Sequence, residues 1–98
     1  MAAVSIKPKI VLQVPILDQQ AFARFVETCI RDHVELISVV GPGCEEVHNQ
    51  IDDILVNAGE NPPFIATTWH EDETLDEAVE FAKIYGDRGA EEVQVVSF

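Results

Sequence analysis

Val34-Glu35-Leu36-Ile37-Ser38-Val39-Val40-Gly41-Pro42-Gly43-Cys44-Glu45-Glu46-Val47-His48 changes its period halfway along. Val34 to Val40 is rich in β-branched residues, which fit the pleated surface of a strand. Gly41-Pro42-Gly43 then breaks the chain sharply. Beyond the break Cys44, Val47, Ile51, Ile54, Leu55 and Ala58 recur at three- and four-residue spacing, the period of one helix face. A strand that passes through a tight turn into a helix is half of a βαβ unit.

The same alternation continues in both directions. Lys9 to Val14, Phe64 to Trp69 and Val93 to Phe98 are the other apolar runs. Asp18 to His33 and Thr74 to Tyr85 are the other amphipathic stretches. The whole reads βαβαβαβ, and crossovers of this length are what parallel strands require. The chain of 98 residues with 47% hydrophobic content makes one α/β domain over 1–98. It has core enough to fold without disulfide or metal staples.

Local signals set the element ends. Pro8 suits a strand start and Pro15 stops the first strand. Asp18 is placed to cap the first helix, whose Phe22, Phe25, Val26 and Cys29 share a face. Gly59 and Asn61-Pro62-Pro63 end the second helix. Thr74 with Glu77 forms a capping box for the third, with Leu75, Ala78, Val79, Ala82 and Tyr85 as its apolar stripe. Gly86 and Asp87-Arg88-Gly89 supply the last turn.

Strand order follows from polarity. Strand two opens with Glu35 and strand four contains Gln94 and Ser97, so placing both at the edges gives 2-1-3-4. Right-handed crossovers then put helix one on one face and helices two and three on the other. The alternative order is 3-2-1-4. In the first order a crevice opens between strands one and three, with Asp18 on one rim and Trp69, His70, Glu71 and Asp72 on the other.

Charge narrows the partners. The formal net charge is −12. Residues 1–44 balance four acids with four bases, whereas residues 45–98 set fourteen acids against Lys83 and Arg88 alone. Nucleic acid is a poor partner for such a surface, because binding it relies on cations that displace its counterions. Anionic membrane surfaces are disfavoured on the same ground, and no apolar run is long enough to span a bilayer. The first residues lack a secretory pattern and the two cysteines suit reduced thiols, so a cytoplasmic location is expected.

Three constellations fall at the carboxyl ends of the strands. The Gly41-Pro42-Gly43 loop leads into a helix but matches no phosphate fingerprint, and Glu45 and Glu46 repel an anion there. Cys44 and His48 stand at i and i+4, a spacing that suits a thiol–imidazole pair or two metal ligands. Two ligands do not make a metal site, so His70 and one of Glu71 or Asp72 would have to complete it, and the simpler reading packs Cys44 under its helix. Trp69-His70-Glu71-Asp72-Glu73 leaves a strand and precedes Asp76, Glu77 and Glu80, giving one acidic surface with an aromatic anchor. There the plainer reading is helix capping. His33 lies at the opposite end, out of reach of His48 and His70, and no serine stands at a nucleophile elbow.

The expected role is therefore a non-catalytic binding domain, without cofactor, that offers this acidic surface to a basic protein. Trp69, His70, Glu71, Asp72, Glu73, Asp76, Glu77 and Glu80 form its contact set. The alternative is a small enzyme or metal protein using Cys44, His48 and His70. An open sheet also invites a homodimer, through helix one or strand two, where the charge is balanced. In size, acidity and α/β character the chain is similar to small acidic immunity proteins that block basic nucleases.

Overall fold

A computed structural model describes residues 7–57, 65–85 and 93–98. Along the chain run β1 (Lys9–Gln13), α1 (Gln19–Arg31), β2 (Leu36–Val40), α2 (Cys44–Val56), β3 (Ala66–His70), α3 (Leu75–Ile84) and β4 (Val93–Ser97). All three strand pairings are parallel, and the sheet order is β3-β2-β1-β4. The α/β class and the parallel sheet are as the sequence predicts. Of the two orders, 3-2-1-4 is the one adopted and 2-1-3-4 is not.

The physical reason lies in β2 and β3. Glu35 precedes β2 rather than belonging to it, and all five residues of Leu36–Val40 are buried. A strand covered on both faces belongs in the middle of a sheet. β3 carries Thr67, Thr68 and the half-exposed Trp69, which suit an edge. With this order, right-handed crossovers place α1 and α2 together and α3 alone. The packing follows that rule, correcting the expected grouping of helices two and three. Phe22, Val26 and Cys29 from α1 share one core with Cys44, Val47, Ile51 and Leu55 from α2. Ile10, Leu12, Ile37 and Val39 supply the sheet side of that core. Ala78 and Ala82 of α3 meet Val11, Leu36 and Val40 on the other face.

Helix ends are fixed by the expected chemistry. The Asp18 carboxylate accepts from the Ala21 amide at 3.0 Å. Thr74 and Glu77 complete a reciprocal capping box. Gly41 has φ +117°, and a Cβ there would stand 2.6 Å from the Val14 carbonyl oxygen, so only glycine fits where β1 and β2 end side by side. Lys9 is fully buried in β1 and donates to the Lys83 carbonyl at 3.4 Å, placing its charge at the negative end of α3. Ala58, the Gly59 cap, Asn61-Pro62-Pro63, Phe64, Gly86 and Asp87-Arg88-Gly89 lie outside the described residues.

Candidate functional site: an acidic edge around strand three

Because β2 separates β1 from β3, the expected crevice between Asp18 and Trp69 does not form. The chain instead reverses direction between β1 and β4. At that place the Phe98 carbonyl accepts the amides of Leu17 and Asp18 at 2.7 and 2.9 Å. The Phe98 ring packs on Phe22 and Phe25, so the protein's own chain fills this position.

At the carboxyl ends a concavity lies between β2 and β3. It is a cleft of about 530 Å³ between the Gly41–Gly43 turn and the β3–α3 loop. Its carboxylates are Glu45, Glu46, Glu71, Asp72 and Glu73, and among the described residues no lysine or arginine lines it. Glu73 also borders a second hollow, of about 480 Å³, along α3 with Asp76, Glu77, Glu80, Phe81 and Ile84. Glu73 thus joins the two acidic surfaces. Among the eight residues of the expected contact set, the six acids are exposed and Trp69 is 43% exposed. Lys83 pairs with Glu80 at 3.2 Å on the outer side of α3.

His70 differs from its neighbours. It is 9% exposed, beneath Phe81, whose ring centroid lies 4.9 Å away. Its Nδ1 bonds Glu73 Oε2 and its Nε2 lies 3.0 Å from Thr68 Oγ1. Thr68 in turn lies 2.8 Å from the fully buried Ser38 hydroxyl. With Nδ1–H donating to the carboxylate, a neutral ring accepts the Thr68 proton at Nε2, and Thr68 accepts from Ser38. His70 has little surface to offer a partner; it fixes Glu73 at the point where the two hollows meet.

His48 stands on the opposite face of the sheet. Its Nε2 lies 3.0 Å from Thr67 Oγ1, which itself donates to Asp52 Oδ1 at 2.8 Å. Since Thr67 has one proton and gives it to Asp52, its oxygen accepts from His48 Nε2–H. The imidazole also packs against Trp69 at 4.6 Å between centroids, which sets the angle of the exposed indole. The expected grouping of Cys44, His48 and His70 is therefore not assembled. His48 and His70 lie on opposite faces of β3, and Cys44 is buried in the α1–α2 core. Among the described residues no three potential metal ligands come together.

Both cysteines are free and buried. Burial first, and the Asp32 carboxylate second, push the Cys29 thiol up to about 12 despite an opposing backbone hydrogen bond. His33 is exposed just beyond α1, with φ 57°.

Thr67, Thr68, Ser38 and Asp52 were not candidates from the sequence, although a signal for them exists. Successive strand residues point to opposite faces, so Thr67-Thr68 puts one hydroxyl on each side of β3. His48 and Asp52 are an i, i+4 pair on α2.

Among the described residues no helix is long and apolar enough to cross a membrane. No curated protein and no solved structure matches the chain. One family model matches it over residues 6–97, described as a domain of unknown function, DUF7684. With nearly its whole length matched, the chain belongs to the DUF7684 family.

Proposed function

We propose that this domain is a non-catalytic protein-binding module whose acidic edge around β3 and α3 receives a basic protein partner. The observation that carries this reading is the continuity of the acidic surface. Glu45, Glu46, Glu71, Asp72 and Glu73 line one cleft, and Glu73 leads on to Asp76, Glu77 and Glu80. A concave surface lined by one sign of charge attracts and orients an oppositely charged partner. Trp69, half-exposed on the α2 face of β3, adds apolar contact area of the kind that anchors interfaces. Cytoplasmic residence accords with two unpaired thiols.

Self-association, where it occurs, belongs on the other side of the molecule. β2 is internal to the sheet and has no edge to offer, which leaves α1. A shallow groove of about 480 Å³ runs there between α1 and α2, lined by Glu27, Ile30, Asp53, Ile54 and Asn57. A homodimer through this flank keeps the acidic surfaces apart; light scattering that reports a monomer at high concentration contradicts it.

The acidic-surface reading is tested by affinity capture with the wild-type domain and with the Asp76→Lys/Glu80→Lys variant side by side. A basic protein retained by the wild type and lost by the variant is the expected result. Equal retention by both contradicts the reading.

A further inference from the structure

β3 ends the sheet, and among the described residues it pairs only with β2. The Ala66 amide donates to the Glu35 carbonyl at 3.1 Å, so Ala66, Thr68 and His70 direct their backbone groups toward β2. In a parallel ladder the intervening residues face the other way. Thr67 and Trp69 therefore direct their N–H and C=O groups to the open side.

Proteins usually blunt such an edge with lysine, proline or a bulge. Ala66–His70 contains neither lysine nor proline, and its register with β2 runs unbroken. Carboxylates flank the edge on both faces. On the α3 face, Phe81 reaches over His70, and the hollow beside it is lined by Glu73, Asp76, Glu77 and Glu80. On the α2 face, Asp52 is partly exposed and accepts from the Thr67 hydroxyl. A second copy pairing through β3 would set these carboxylates against their own kind, which disfavours a symmetric edge contact.

We infer that the free edge of β3 is a strand-addition site for an extended, lysine- or arginine-containing segment of a partner protein. Its backbone bonds Thr67 and Trp69, and its basic side chains meet Glu73, Glu77 and Glu80 on one face and Asp52 on the other. Main-chain bonds supply the affinity and alternate side chains the selectivity, as in other strand-addition complexes. This inference rests on the proposed acidic binding surface and adds the conformation of what it binds.

The test uses the whole domain and a short fluorescein-labelled, acetylated and amidated peptide of alternating lysine and valine, which in an added strand sets every lysine on the α3 face with Glu73, Glu77 and Glu80 and every valine on the α2 face. Two companions are a peptide of the same sequence with every backbone N–H methylated, and one with glutamate replacing lysine. Binding is followed by anisotropy at about 0.05 M salt, where surface charge is weakly screened. Amide exchange at Thr67 and Trp69 is read by NMR in the same samples. The lysine peptide is expected to bind and to slow exchange at both amides, the methylated peptide to bind about tenfold or more weakly, and the glutamate peptide not to bind. Equal binding of the lysine and methylated peptides, or unchanged exchange at Thr67 and Trp69, overturns strand addition while leaving the acidic-surface reading intact. Failure of the lysine peptide to bind also overturns strand addition, and the captured protein with its charge-reversed control then decides the broader reading. Equal binding of the glutamate peptide contradicts both.

Discussion

Thr67 and Thr68 are neighbours in the chain on opposite faces of β3, and each hydroxyl lies 3.0 Å from a histidine Nε2, His48 on one side and His70 on the other. Each cluster ends on a carboxylate, Asp52 or Glu73. An edge strand that makes hydrogen bonds along one side only is thereby fastened through its side chains to α2 and to the loop before α3. The same fastening orients Trp69 and Glu73.

Thr67→Val removes the hydroxyl that joins Asp52 to His48 without changing the side chain's shape. We expect a loss of about 1 kcal/mol, because the buried imidazole N–H loses its Thr67 acceptor and keeps only the Asp52 carboxylate, 3.6 Å away. Thr67→Ser retains the bridge and costs less. Urea unfolding followed by Trp69 fluorescence measures both, and equal stability of Thr67→Val and wild type shows that the bridge contributes nothing.

The two glycines of the β2–α2 turn are expected to differ. At Gly43 φ is +79° and an added methyl meets open space, so Gly43→Ala carries only the left-handed strain of about 1 kcal/mol. At Gly41 the methyl collides with the Val14 backbone as well. Gly41→Ala is therefore expected to cost about 3 kcal/mol or more, or to prevent folding. Thermal melts of the pair reveal the order, and a milder effect at Gly41 contradicts the close approach.

Alkaline pH is expected to destabilise the fold through Cys29. Its thiol is raised from 9.0 to about 12 in the folded state, so above pH 9 the unfolded chain releases a proton that the native chain keeps. The unfolded state then binds fewer protons, and stability falls as pH rises, at up to about 1.4 kcal/mol per pH unit between those values. Cys29→Ala loses this contribution to the pH dependence. Denaturation midpoints across that range report the slope, and an unchanged slope in the variant contradicts the assignment. Native Cys29 should accordingly react slowly with thiol probes until the protein is unfolded.

The charge-reversed variant used for partner capture must remain folded. Asp76 and Glu80 are exposed, Asp76 in the first turn of α3 and Glu80 paired with Lys83. Reversing both removes a helix-dipole contact and one surface pair, for a combined cost of about 1 kcal/mol. A far-ultraviolet circular dichroism spectrum unlike that of the wild type would contradict this estimate.

Element type was legible in the sequence because the periods are clean. Cys44, Val47, Ile51 and Leu55 mark a helix face, and Asp18 and Thr74 mark helix starts. Strand order was less legible. Glu35 suggested an edge strand, yet it stands one residue before β2, and a strand's polarity is judged only once its ends are known. The opposite placement of His48 and His70 depends on that order and on the alternation along β3. For this reason Cys44, His48 and His70 looked compatible in sequence and are separated in the fold. The acids from Glu71 to Glu80 were legible as a group, since a short loop and one helix keep them together in any order. Their junction with Glu45 and Glu46 was not, because it arises from β2 and β3 being neighbours.

If the acidic edge attracts a basic partner, the rate of association must depend on ionic strength. For a captured basic protein, stopped-flow measurements should show association slowing steeply as salt rises through about 0.1 M, where charges are screened beyond roughly 10 Å. In Asp76→Lys/Glu80→Lys the rate should fall and its salt dependence flatten. Trp69→Ala should weaken the complex with little change in salt dependence. An association rate that is indifferent to salt, and equal in the wild type and the charge-reversed variant, would contradict recognition through the acidic edge.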